Sequence, residues 1–149
     1  KPDYNLNKQK NYMLASLVDH RGWVKKQGLL WETVYYGAKS IKDSIKLKTE
    51  TDVYNECGKY WGILCPEYPH SGSGWFRIRY IYSALQRSII KTSLNDLKAL
   101  DIPYKFIENL SEQDLRLYAE LQRKQIFKHT WSCDMFDNKI KNICGSLIQ

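Results

Sequence analysis

A ten-residue segment near the start of the chain constrains the fold most, because it has both a recognisable period and a recognisable end. Residues 11–20 place apolar side chains at positions compatible with one face of a helix, namely Tyr12, Met13, Ala15, Leu17 and Val18. Gly22 follows, and a glycine just beyond the last turn is a typical helix end. The sequence therefore predicts that the folded unit opens with a helix over residues 11–20.

The segments that follow are separated by glycines and are predicted to form two strands and a helix. Residues 23–28 are short and partly β-branched, and residues 29–37 are rich in the branched and aromatic side chains that suit a pleated surface. Residues 38–47 return to a helical period, with Ile41 and Ile45 one turn apart.

A second pair of strands is predicted around a long turn-rich segment. Residues 59–65 and 75–82 are apolar and aromatic, and the segment between them contains proline, serine and glycine. This pattern is typical of a β-hairpin with a long loop. A helix over residues 83–90 then completes the order helix, strand, strand, helix, strand, strand, helix.

The rest of the chain, residues 93–149, is predicted to be helical. Ser93 and Ser111 each stand three residues before an aspartate, which is the pattern of a capped helix start. Pro103 disfavours helix at the residue before it, so residues 100–106 are expected to be extended. The predicted domain organisation is therefore one unit over residues 1–92, followed by residues 93–149, which form a helical extension or a degenerate second repeat.

Together with this element order, the run from Leu14 to Gly22 resembles the motif helix of the LAGLIDADG homing endonucleases, especially the intein type. The matching letters are Leu14, Ala15, Leu17, Asp19 and Gly22, with Ser16 in place of glycine and Val18 in place of isoleucine. The resemblance implies an α+β fold, an αββαββα LAGLIDADG-like unit followed by C-terminal helices. It also implies a curved sheet whose concave face lies along the major groove of DNA.

Arg21 stands where the family carries its metal-binding acid. A divalent metal beside a scissile phosphate needs anionic oxygen ligands, whereas a guanidinium repels the metal and pairs with phosphate. We therefore expect no catalytic residue, no metal ligand and no cofactor in this unit. Mg²⁺ is expected only if a partner unit supplies the acids, and the chain is interpreted as a DNA-binding domain without cleavage activity.

Strand alternation in residues 75–82 predicts which side chains would face the DNA. Phe76 and Ile78 would point to the core with Tyr80 and Tyr82, and arginines on the other face would contact phosphates or guanine edges. The net charge of +7 favours such a polyanionic partner. By the same parity, the predicted DNA-binding residues are Lys25, Gln27, Trp31, Thr33, Tyr35, Trp75, Arg77 and Arg79. Arg21 is also predicted to bind DNA, because its guanidinium pairs with phosphate. The alternative for this face is a plain solvated surface.

The expected partners are double-stranded DNA and either a second such unit or a larger parent protein. No membrane partner is expected, because no apolar run approaches the ~20 residues of a spanning helix. Ser71–Gly74 is not expected to form a phosphate loop, since a hairpin turn lacks the strand-to-helix context that a phosphate cradle requires.

A different class of protein is also compatible with the sequence. Four cysteines, Cys57, Cys65, Cys133 and Cys144, would permit two disulfides, and Asn109 begins a glycosylation sequon. The alternative is a secreted, disulfide-stabilised basic binding or effector protein. The location would be nuclear or cytoplasmic for the DNA-binding interpretation and extracellular for this one.

Overall fold

The described part of the chain forms a parallel β-sheet with helices on both faces. The computed structural model describes residues 4–16, 18–29, 32–37, 42–66, 78–92, 97–98 and 101–129. Within these ranges the sheet has five strands, β1 (Gln9–Ser16), β2 (Thr33–Gly37), β3 (Ile45–Lys46), β4 (Tyr60–Leu64) and β5 (Ile89–Lys91). Their order is β3-β2-β1-β4-β5, and every adjacent pair is parallel.

Helices form most of the connections that a parallel sheet requires. The described helices are α1 (Arg21–Lys26), α2 (Glu50–Cys57), α3 (Ile78–Leu85) and α4 (Glu112–Lys128), with a short 3-10 turn at Ile107–Asn109. The mixed composition of helices and strands is confirmed. The described order is not αββαββα, because a helix lies between β1 and β2, between β3 and β4, and between β4 and β5. None of the described helices is long and apolar enough to cross a membrane.

The predicted opening helix is wrong, because most of residues 11–20 belong to strand β1. Tyr12, Met13 and Leu14 are all buried, and β1 is paired on both sides, to β2 and β4. A central parallel strand is buried on both faces, so its sequence is a continuous apolar run without alternation. The described letters that resemble the endonuclease motif are therefore not on one helix: Leu14 and Ala15 lie on strand β1, Asp19 lies in the segment after it, and Gly22 lies in α1.

Four other predicted elements are also corrected. Of residues 83–90, predicted as a helix, the first three end α3 and the last two belong to strand β5. Most of residues 23–28, predicted as a strand, belongs to α1 and the turn after it. The described part of residues 38–47, predicted as a helix, contains strand β3. The described part of residues 75–82, predicted as a strand, lies in helix α3. A hairpin between residues 59–65 and 75–82 is excluded as a result, since β4 continues through a helix to its parallel neighbour β5.

The prediction for the last described helix is confirmed. Helix α4 begins after Ser111, whose hydroxyl accepts a hydrogen bond from the backbone N–H of Asp114 at 3.2 Å. The predicted cap at Ser93 and the part of the predicted helical region after residue 129 lie outside the described residues.

Two apolar layers hold the sheet between the helices. On one face, Tyr12 and Leu14 pack with Val24 of α1 and with Leu115 of α4. On the other face, Met13 and Ile63 pack with side chains of α2, Val53 and Cys57. Alternate residues of β1 thus point into different layers, which places α1 and α2 on opposite faces.

Candidate ligand site at the carboxyl edge of the sheet

The strand order places a topological switch next to β1. From β1 the chain moves outward to β2 and β3, and it then returns to form β4 on the other side of β1 and continues to β5. The connections after β1 and β4 therefore leave in opposite directions. In open parallel sheets, ligands bind in the crevice outside the carboxyl ends of the strands at such a point.

A cleft of about 260 Å³ lies at this carboxyl edge. Ala15 and Ser16 at the end of β1 line it, together with Tyr36 and Gly37 at the end of β2. The remaining lining comes from the segment before α2, from α2 itself and from α3, as Leu47, Lys48, Thr49, Glu50, Val53 and Arg79. The cleft therefore has an apolar wall and a polar, charged rim.

An ion pair between two helices forms the charged part of the rim. Arg79 Nη1 donates to Glu50 Oε2 at 3.0 Å, and the Tyr82 hydroxyl donates to the same oxygen at 3.0 Å. The hydrogen bond from Arg79 is the main reason that the pKa of Glu50 is lowered. Glu50 is therefore an ionised carboxylate at neutral pH, held in one orientation by two donors.

The start of α2 is fixed by a reciprocal cap, which positions Glu50. Thr49 Oγ1 accepts from the backbone N–H of Asp52 at 3.1 Å, and Asp52 Oδ2 accepts from the backbone N–H of Thr49 at 3.0 Å. These bonds also lower the pKa of Asp52. The cap holds the first turn of α2 at the rim, so Glu50 projects from an ordered backbone.

This arrangement suits a ligand that combines a planar apolar part, hydroxyl groups and negative charge. A carboxylate accepts hydrogen bonds from ligand hydroxyls, as an acid does for ribose in many sheets of this kind. Arg79 carries five N–H donors in a planar fork, of which Nη1 contacts Glu50, so others remain to pair with phosphate oxygens.

Of the predicted DNA-binding residues, Arg79 is the one that lies in this cleft. Arg21 and Tyr35 are brought together elsewhere, with the guanidinium carbon 5.1 Å from the centroid of the ring. Arg21 also pairs with Asp19 at 3.3 Å and donates to the Lys42 carbonyl.

The other predicted DNA-binding residues do not share one sheet face. Lys25 is exposed on α1, and Gln27 caps the end of that helix. Thr33 is buried, and its hydroxyl donates to the Leu29 carbonyl at 2.6 Å. Trp31, Trp75 and Arg77 lie outside the described residues.

The sequence analysis missed Glu50 and misjudged the segment before α3. The pattern of Thr49 followed three residues later by Asp52 was a usable signal for a helix start at this point. The hairpin predicted around Ser71–Gly74 is wrong, because strand β4 precedes this segment and helix α3 follows it. Residues 67–77 themselves lie outside the described residues.

The two described cysteines, Cys57 and Cys65, are both buried. Burial raises the pKa of the Cys57 thiol to about 12. Cys133 and Cys144 lie outside the described residues, and the secreted, disulfide-stabilised alternative stays a prediction. Among the residues that the structure describes, no group of three His, Cys, Asp or Glu side chains is arranged to hold a metal ion.

Comparison with protein-family models, with curated proteins and with solved structures finds no match to this chain. The LAGLIDADG resemblance therefore stays a prediction.

Proposed function

We propose that this protein binds a nucleotide in the cleft at the carboxyl edge of its sheet. The observation that carries the proposal is the Glu50–Arg79 pair, which stands at the rim of an apolar cleft beside the topological switch. A nucleotide combines a planar base, ribose hydroxyls and phosphates. Each of these has a chemically matched group in the cleft.

The matched groups suggest an orientation for the ligand. Leu47 and Val53 provide apolar surface for the base, and the Glu50 carboxylate accepts a hydrogen bond from a ribose hydroxyl. Arg79 of α3 supplies positive charge at the rim, so the phosphates would lie on this side. The cleft of about 260 Å³ is near the lower end of the roughly 300–1,000 Å³ typical of small-molecule sites, which suits the nucleoside part.

Calorimetric titration with uridine and adenosine, and with their mono- and diphosphates, tests this proposal. We expect saturable binding of one base series, with affinity rising from nucleoside to diphosphate. Arg79→Gln removes a charged donor worth about 1.5–3 kcal/mol, so the diphosphate should bind roughly ten- to a hundredfold more weakly, and the nucleoside less so.

The matched control is Arg116→Gln. Arg116 pairs with Glu112 on the surface of α4 at 2.7 Å and does not line the cleft. The Arg116→Gln substitution should leave nucleotide affinity unchanged. The absence of saturable binding for every nucleotide would contradict the proposal, as would an equal loss in both variants.

Binding of duplex DNA is the second candidate function, and the charge of the chain favours it. The net charge is +7, and Lys25 and Lys26 are both exposed in the last turn of α1. The LAGLIDADG resemblance, as an αββαββα unit without cleavage activity, belongs to this candidate. The support for this resemblance is the set of matching letters between Leu14 and Gly22.

Fluorescence anisotropy of a labelled duplex across a salt series tests the second candidate. If both lysines contact phosphates, Lys25→Gln with Lys26→Gln should reduce the slope of log affinity against log salt by about 2. A matched double variant at exposed Lys124 and Lys128 of α4 should reduce it less. Equal slopes of log affinity against log salt in the two double variants would contradict phosphate contacts by Lys25 and Lys26 of α1.

A further inference from the structure

Lys91 is a buried lysine at the carboxyl end of β5, on the same sheet edge as the cleft but two strands away from β1. Lys91 as a whole residue is 8% exposed to solvent. Its neighbour across the sheet is Leu64, and the next residue, Thr92, is fully buried. Within the described ranges, no carboxylate lies within ion-pair distance of the Lys91 ammonium.

Aromatic rings surround the amine instead of anions. Lys91 Nζ lies 4.4 Å from the centroid of the Tyr104 ring and 5.9 Å from that of Phe106. The two rings meet edge to face at 5.6 Å. Phe106 is 43% exposed, so this aromatic site reaches solvent on one side.

The two phenols behind these rings supply no negative charge at neutral pH. The Tyr104 hydroxyl is hydrogen-bonded to that of Tyr12 at 2.9 Å, and burial raises the pKa of both phenols. Glu108 accepts from Tyr12 at 3.4 Å and makes no ion pair with Lys91. Desolvation therefore dominates at Lys91 and lowers its pKa.

We propose that Lys91 is a nucleophilic amine that forms an imine with an aldehyde or ketone ligand in the Tyr104–Phe106 aromatic site. A lysine desolvated in an apolar pocket is more often neutral, and the neutral amine is the nucleophile. The Nζ lone pair adds to the carbonyl carbon. The carbonyl oxygen takes up protons and leaves as water, so that a C=N bond replaces the C=O bond with no oxidant or reductant.

Reductive alkylation measures this reactivity directly on the whole chain. The protein is treated with propanal and sodium cyanoborohydride between pH 7 and pH 10.5, and the alkylation rate of each lysine is followed by peptide mass spectrometry. Lys98 is exposed in the same molecule and serves as the reference. At pH 7 we expect Lys91 to react faster than Lys98, by about tenfold for each unit by which its pKa is lowered.

The ratio of the Lys91 rate to the Lys98 rate should fall as pH rises, because the advantage of a lowered pKa shrinks as the solution approaches the ordinary pKa of a lysine amine. Phe106→Ala exposes the amine to water at a half-exposed position where folding should tolerate the change, and it should lower the ratio at pH 7. Lys91→Arg should abolish alkylation at this position and leave that at Lys98 unchanged.

A rate for Lys91 equal to or below that of Lys98 at pH 7 would overturn the proposal, whether its cause is a protonated or an inaccessible amine. A ratio that rises with pH would also overturn it. The measurement involves no nucleotide, so its failure would leave the proposed nucleotide site intact.

Discussion

The aromatic ring of Tyr12 lies directly against the backbone of Gly62, its partner in the adjacent parallel strand. A Cβ atom on residue 62 would lie 2.8 Å from Tyr12 Cε1 and 3.0 Å from Cγ. The ring has little freedom to retreat, because its hydroxyl bonds to Tyr104 at 2.9 Å and accepts from the backbone N–H of Ile107 at 3.2 Å. The centre of the sheet therefore requires glycine at this position.

Gly62→Ala should destabilise the fold by overpacking this contact. We expect the free energy of unfolding to fall by about 1–3 kcal/mol, measured by urea denaturation. Gly22→Ala is the matched control, since a Cβ at that position of α1 meets no atom within 4 Å, and alanine favours a helix by roughly 0.5–1 kcal/mol. A Gly62→Ala protein as stable as the control would contradict the packing described.

Gln122 of α4 takes the place of a further strand beside β5. Its Oε1 accepts from the Ile90 N–H at 2.7 Å, and its Nε2 donates to the carbonyls of Ile90 at 3.2 Å and Pro103 at 2.7 Å. Gln122→Leu leaves these backbone groups unpaired and should cost at least about 2 kcal/mol, with faster hydrogen exchange at the Ile90 amide. Gln113→Leu, exposed on the same helix, should be near neutral. Equal stability of the two variants would show that the edge bonds contribute nothing.

Alkaline pH should destabilise the protein through Tyr12. Burial raises the pKa of Tyr12 to about 12, so between about pH 10 and pH 12 the unfolded chain has lost a proton that the folded chain keeps. The folded state binds more protons in this window, and stability therefore falls as pH rises, by up to about 1.4 kcal/mol per pH unit for one group. Urea midpoints at pH 9, 10 and 11 measure the slope.

The Tyr12→Phe variant separates this effect from that of other groups. Burial lowers the pKa of Lys8 to about 8, which makes stability rise with pH between about 8 and 10.5, but this contribution is present in both proteins. The variant should lose less stability than the parent between pH 10 and pH 11. Parallel pH profiles would be inconsistent with a buried, protonated Tyr12.

The Cys57 thiol should be unreactive in the folded protein. It is fully buried, and its pKa of about 12 leaves almost no thiolate at pH 8. N-ethylmaleimide labelling at pH 8, followed by peptide mass spectrometry, should modify Cys57 only when urea is present. A cysteine placed at exposed Asn55 of the same helix should react without urea. Rapid native labelling of Cys57 would contradict the packing of α2 on the sheet.

The sequence predicted α4 correctly because its signals are local. The Ser111 cap and the apolar spacing after it lie within one segment. Strand β1 was mistaken for a helix because Tyr12, Met13 and Leu14 are consecutive and all buried, which removes the alternation that marks a half-exposed strand.

The candidate site could not be assembled from sequence, because its groups come from separate crossovers. Glu50 and Arg79 are 29 residues apart and meet because α2 and α3 pack together over the same face. Arg79 was named for its position in a predicted strand, although it lies in a helix. Glu50 has no local pattern beyond its place after a capping threonine.

Methyl-group NMR during a nucleotide titration tests the central claim most directly. Val53 lines the cleft, whereas Val24 is buried in the layer on the opposite face of the sheet. The account predicts that the Val53 methyl resonances shift saturably, with the same Kd as calorimetry, while those of Val24 do not move. Binding that shifts Val24 and leaves Val53 unchanged would place the nucleotide elsewhere and contradict the account.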